Sequence, residues 1–320
     1  MSDIQLFRLN VDSATELPAH AAALERQLQG LIEAQMPTFL GVRFLASEYA
    51  TGKTHRGRID SLGLDENGCP VIIEYKRQRH ENVITQGLFY LDWLLDHKAE
   101  FRWLVLDKLG QDAANRIEWA GTRLLCIAAD FNRYDQHAVQ QIPRNIELLR
   151  YKLFDDDLLL LELVNSVSVP DATAAKVDKN TPAADVADVA GDSPELANTK
   201  KVSKDKTLAE QLDLATPEIR ALYVETANAL NALGDDVQEK PLKLYTAFRR
   251  LKNFACIIVF PNRLLVTLKI APVTEVLEEG FSRDVSQIGH WGTGDLELCL
   301  RTEADLERAK PLMARSYEEN

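Results

Sequence analysis

Gly57 to Lys76 reads GRIDSLGLDENGCPVIIEYK. Apolar residues flank a polar four-residue break: Ile59, Leu62 and Leu64 come before it, and Val71, Ile72 and Ile73 after. The Asn67-Gly68 pair suits the positive φ of a tight turn, and PVIIEYK has the β-branched composition of a strand. The spacing therefore predicts a β-hairpin. Side chains alternate along a strand, so Glu74 and Lys76 share one face while Tyr75 takes the other. Asp60 lies on the partner strand, near the same end. If Asp60 shares the face of Glu74, two carboxylates with only Lys76 to offset them are costly to bury. A hard divalent cation, held by Asp60, Glu74 and the Tyr75 carbonyl, relieves that cost. The rival reading is a solvated surface pair, against which the apolar neighbours on both strands weigh.

Working outward, Leu24, Leu28, Leu31 and Ile32 form an apolar stripe at helical spacing, predicting a helix over Ala19–Met36. FLASEYA and RGRIDSLGL read as strands, NVITQGLFYLDWLLDH as a helix, and FRWLVLD and TRLLCIAADF as buried strands. LLRYKLFDDDLLLLELV closes the sheet. That order implies an α/β unit over residues 1–165, a mixed sheet with helices on its faces. Residues 166–207 contain no aromatic residue, no Ile and one Leu; such a segment buries too little to offset its ordering entropy and reads as a flexible linker. Residues 208–320 read as a smaller α+β unit. Thr216-Pro217 starts a helix, strands follow at KLYTAFR, FACIIVF and LLVTLKI, and a last helix begins near Thr302. Between them, Arg283, His290 and Trp291 sit in a Gly-rich loop that suits either a recognition surface or a simple loop anchor.

The net charge of −12 argues against general attraction to nucleic acid or anionic membrane. Locally the balance reverses. Between Gly52 and His80, Lys53, Arg56, Arg58, Lys76, Arg77 and Arg79 face only Asp65 and Glu66 besides the two proposed ligands. Lys53, Arg56, Arg58, Arg77 and Arg79 are therefore the candidate phosphate-backbone contacts. Four scattered cysteines without a CxxC pair point to a reducing, cytoplasmic setting. No apolar run approaches membrane-spanning length, and the N-terminus lacks the pattern of a secretory signal.

An Asp, a hairpin, and then Glu-x-Lys resembles the signature of the PD-(D/E)XK nuclease superfamily. GRID…VIIEYK is similar to its NucS-type, RecB-like branch. Gln86 and Tyr90 match the Gln-x-x-x-Tyr motif that members often carry on the following helix. The acidic residue of the first helix falls on Glu25, with Glu33 as the alternative. Ile59 stands where the superfamily name has Pro, and Tyr75 where Leu or Val is commoner; neither change removes a ligand or the lysine. The resemblance spans roughly Leu24–Phe131. It implies a restriction-endonuclease-like fold and an Mg²⁺- or Mn²⁺-dependent endonuclease acting on nucleic acid, DNA foremost, in genome defence or repair, with dimers as one arrangement. Glu25, Asp60, Glu74, Lys76, Gln86 and Tyr90 would form its site. The C-terminal half resembles an uncharacterised domain found beside nuclease-like domains. Two other readings stand beside this one: a non-catalytic binding protein that keeps the fold, and a regulatory protein with no nucleic-acid role.

Overall fold

The computed structural model describes residues 4–52, 56–77, 83–155, 157–167, 206–273, 277–288, 290 and 292–320. Lys53, Arg79, Trp291 and residues 168–205 of the expected linker lie outside the described residues. The chain is mixed α/β, and its described residues build two large sheets and one small hairpin, β1 (Leu6–Asn10) with β2 (Ser13–Leu17).

The first large sheet contains β3 (Ala19–His20), β4 (Val42–Ala50), β5 (Arg58–Asp65), β6 (Pro70–Lys76), β7 (Arg123–Ala128), β8 (Asn145–Phe154) and β9 (Leu158–Val167). Its order is β3-β8-β7-β6-β5-β4, with β9 on the free side of β8. The pairs β4–β5 and β5–β6 are antiparallel, β6–β7 and β7–β8 parallel, so β6 is the central strand at which direction changes. That position explains PVIIEYK: a strand covered on both faces reads as one apolar run. One face packs on α1 (Glu25–Ala34) and α2 (Met36–Leu40), where Leu28, Ile32 and Met36 meet Val71, Ile73 and Tyr75. The other packs on α3 (Val83–Asp96), α4 (Lys98–Leu109), α5 (Gln111–Asn115) and α6 (Arg133–Gln141). There Leu91, Leu94, Phe101 and Val139 meet Ile72 and Leu124.

In this first unit, two expected elements differ. The first helix starts at Glu25, because Ala19 and His20 pair with Phe154 and Leu153 at the sheet margin. FRWLVLD is helical within α4: Phe101 and Val105, four apart, are buried, while Trp103 between them is exposed.

The second large sheet joins β10 (Gln238–Pro241), β11 (Thr246–Arg249), β12 (Asn253–Phe260), β13 (Arg263–Leu268), β14 (Ser282–Asp284) and β15 (Leu296–Leu300), all antiparallel. The polar segment expected to be loop thus supplies its last two strands. Helices α7 (Leu208–Leu214), α8 (Pro217–Asn231) and α9 (Glu303–Glu318) belong to the same unit, α8 and α9 packing on the sheet. The Thr216 hydroxyl accepts the Ile219 N–H and that of Thr302 accepts the Asp305 N–H, both at 3.3 Å, which satisfies otherwise orphaned amides.

The two sheets meet at the turn end of the β5–β6 hairpin. Arg249 Nη2 donates to Glu147 Oε1 at 2.5 Å, and Arg123 bridges Glu147 and Asp65. Lys240 Nζ reaches Asn145 Oδ1 at 2.7 Å, the Asn253 N–H donates to Glu66 Oε2 at 2.9 Å, and Lys269 pairs with Glu66. Arg123, Arg249, Asp65 and Glu147 are all nearly inaccessible, and each carboxylate there faces two guanidiniums.

Candidate active site

The paired register of β5 and β6 ends with Ser61 opposite Ile73. At the next step, side chains replace the backbone ladder. The Asp60 N–H donates to Glu74 Oε1 at 3.2 Å, and the Tyr75 N–H donates to Asp60 Oδ2 at 2.9 Å. Each carboxylate therefore fastens one oxygen to the opposite strand's backbone. Glu74 is fully buried, and its Oε2 has no hydrogen-bond partner among the described residues. Burial first, and then the Asp60 charge, pushes the Glu74 carboxyl up to about 9. Burial likewise raises Asp60, against the pull of the Tyr75 amide and Lys76. A buried acidic pair with an unsatisfied oxygen is the arrangement a cation or a proton relieves.

Lys76 follows on the same strand, its side chain mostly buried, with Nζ 3.5 Å from Glu25 Oε2. Glu25 opens α1, and its Oε1 accepts the Arg77 N–H at 3.4 Å. Glu25 therefore joins the site, whereas Glu33 does not: its Oε1 accepts from Ser61 Oγ at 2.6 Å and Gln29 Nε2 at 3.0 Å. Ser61 Oγ also lies 3.2 Å from the Tyr75 hydroxyl, so this cluster braces the opposite face of the hairpin.

Gln86 Nε2 donates to the Tyr90 hydroxyl at 3.3 Å, and that oxygen also accepts the Arg58 N–H at 3.2 Å. The pair thus fixes the beginning of β5 and bonds neither carboxylate directly. A Cβ on Gly57 would lie 2.4 Å from the Tyr90 ring, so Gly57 is needed for this approach. Of the candidate phosphate contacts, Arg58 is exposed and pairs with Glu48 at 3.3 Å, and Arg77 is exposed and donates to the Ala23 carbonyl at 3.0 Å. Arg56 is exposed and adopts φ +49°.

Gln29 belongs to this arrangement too, although no motif marks it. It is a buried amide beside the apolar stripe of α1, and its Nε2 donates to the Asp60 carbonyl at 2.8 Å and to Ser47 Oγ at 3.0 Å. An uncharged polar residue flanked by Leu28 and Ile32 is the only signal the sequence carries for it. Among the described residues, no group of three or more His, Cys, Asp or Glu side chains is arranged to hold a metal. A cation here would rest on Asp60 and Glu74, with backbone carbonyls and water completing its shell. The oxygen-only donors and the unsatisfied Glu74 Oε2 fit Mg²⁺ or Mn²⁺.

Residues 208–320 match the model of a domain of unknown function (DUF5655). An uncharacterized protein of Haemophilus influenzae is 27% identical over 320 residues, covering 99% of this chain and all of that one. Among solved structures, an EndoMS–dsDNA2 complex aligns over 46% of this chain and 65% of its own, at 16% identity and a TM-score of 0.25. Asp60 and Glu74 come together where the β5–β6 ladder ends, through their hydrogen bonds to the opposite strand's backbone, and Glu25 at the start of α1 reaches Lys76. All four cysteines are free, and among the described residues no helix is long and apolar enough to cross a membrane.

Proposed function

We propose that this protein is a cytoplasmic, metal-dependent nuclease that hydrolyses phosphodiester bonds of nucleic acid, DNA foremost. One observation carries the reading: Glu74 is fully buried, has an unpartnered Oε2, and stands beside Asp60 at the mouth of a splayed hairpin. Bound Mg²⁺ or Mn²⁺ supplies Lewis-acid charge and lowers the pKa of a coordinated water. Asp60 and Glu74 would hold it, with the Tyr75 carbonyl as the expected backbone ligand. Their remaining oxygens are pre-set by hydrogen bonds to the backbone, which keeps the donor geometry rigid. Lys76 Nζ lies on the same face, where it orients the attacking water and offsets charge gathering on the phosphoryl oxygens. Glu25 limits the freedom of that ammonium. Gln86, Tyr90 and Gln29 are positioning residues that fix the strand carrying Asp60. Arg56, Arg58 and Arg77 would contact the phosphate backbone, and the sequence adds Lys53 and Arg79, outside the described residues, to the same basic set.

The lack of a third acidic or histidine ligand among the described residues favours a second reading, a binding protein that keeps the fold without cleaving. A cleavage panel separates the two. Single- and double-stranded DNA and RNA are incubated with Mg²⁺, Mn²⁺ or EDTA, with wild type beside Asp60→Ala. Cleavage that needs the cation and disappears in Asp60→Ala supports the nuclease. Salt-dependent binding without cleavage supports the binder, and activity surviving both EDTA and the substitution rules out the metal site.

A further inference from the structure

A cleft of about 750 Å³ opens where the two sheets meet, at the end of the β5–β6 hairpin opposite Asp60 and Glu74. Both units line it. Arg43 and Arg116 come from the first, and Lys243 and His290 from the second. Among the described residues, the Arg43 guanidinium makes no ion pair and no hydrogen bond. Desolvation and the nearby Arg116 both draw its pKa down, against the pull of Asp65. His290 Nδ1 lies 2.8 Å from the Ile288 carbonyl, which makes Nδ1 the protonated nitrogen. Its Nε2 is buried and lacks a partner among the described residues. Glu66 also lines the cleft, but Lys269 and the Asn253 N–H already hold its carboxylate. Asp112 and Glu118 also line the cleft.

We propose that this cleft binds a small phosphate-bearing anion of mononucleotide or pyrophosphate size. The volume falls within the roughly 300–1,000 Å³ typical of small-molecule sites, which favour the junctions between folded units. An anion with several oxygens would supply the partner that the Arg43 guanidinium lacks among the described residues, and that guanidinium's planar fork matches phosphate. A phosphate monoester also presents both P–OH and P–O⁻, so it can donate to a neutral His290 Nε2 or accept from a protonated one. Because the cations come from both units, the ligand would hold the two together.

The test is calorimetric titration of the full-length protein in EDTA with inorganic pyrophosphate and with AMP, alongside thermal unfolding at saturating ligand. Saturable binding that raises the unfolding temperature is expected. Arg43→Ala, from one unit, and Lys243→Ala, from the other, should each weaken binding about tenfold. Both residues are at the surface, so folding should be retained, and thermal unfolding of the free variants checks this. Asp60→Ala should bind as wild type does, which keeps this result independent of the nuclease reading. Absence of saturable binding, affinities unchanged in both cation variants, or loss of binding in Asp60→Ala would each overturn the proposal.

Discussion

At the scale of single residues, Glu74 is the most informative side chain. Its carboxyl is pushed up to about 9, with burial the main cause and Asp60 second. Above its ordinary value of 4.5 the unfolded chain releases this proton, while the folded chain keeps it until about 9. The folded state then binds more protons, so this group's contribution to stability falls as pH rises through that window. Glutamine cannot ionise. Glu74→Gln should therefore match wild type near pH 4.5 and gain stability over it as pH rises, by on the order of 1–3 kcal/mol at pH 9. Urea unfolding of both proteins from pH 5 to 9 measures this, and a constant difference would refute it. Lys76 allows a second prediction. Lys76→Met should lower the cleavage rate about 10²- to 10³-fold while leaving Mn²⁺ affinity within a few-fold of wild type, because the ammonium faces developing charge and binds no metal. Single-turnover kinetics with Mn²⁺ titration separates these effects.

At the scale of elements, most of the hairpin was legible. Alternation set Glu74 and Lys76 on one face, and Asn67-Gly68 marked the turn, where Gly68 takes φ +78°. The sequence could not show that side chains replace the ladder beyond Ser61 and Ile73, since that depends on the strands parting. Phe101–Asp107 reads as a strand in sequence because a short apolar run fits either period; the helical spacing of Phe101 and Val105 is decisive only with Trp103 in solvent. The motif pairs Gln86 with Tyr90, but nothing in it shows that they act through the Arg58 amide. That contact predicts a coupling. Gly57→Ala places a methyl against the Tyr90 ring and should cost about 1–3 kcal/mol. Truncating the ring removes the clash, so in a Tyr90→Ala background the same substitution should cost about 0.5 kcal/mol or less. A double-mutant cycle by chemical unfolding gives the answer, and additive penalties would contradict this packing.

At the scale of the whole molecule, two sheets that are distant in sequence share one buried charged cluster. Glu147 and Asp65 each face Arg123 and Arg249, and each partner lies many residues from the others. Nothing in local sequence announces such a network, because each residue alone reads as an ordinary strand-end charge. Arg249→Ala would leave Glu147 with Arg123 as its remaining guanidinium partner in a site closed to water. It should destabilise the chain by about 3–5 kcal/mol, measured by urea unfolding, with Arg249→Lys recovering only part of the loss. An effect below about 1 kcal/mol would mean that the two units are not docked this way in solution.

The claim that Asp60 and Glu74 form a cation site is tested most directly by anomalous scattering from crystals soaked in Mn²⁺. One peak within bonding distance of both carboxylates, absent from crystals of Asp60→Ala, is the predicted result. Crystals in which Mn²⁺ gives no peak between Asp60 and Glu74, or an identical peak in Asp60→Ala, would contradict it.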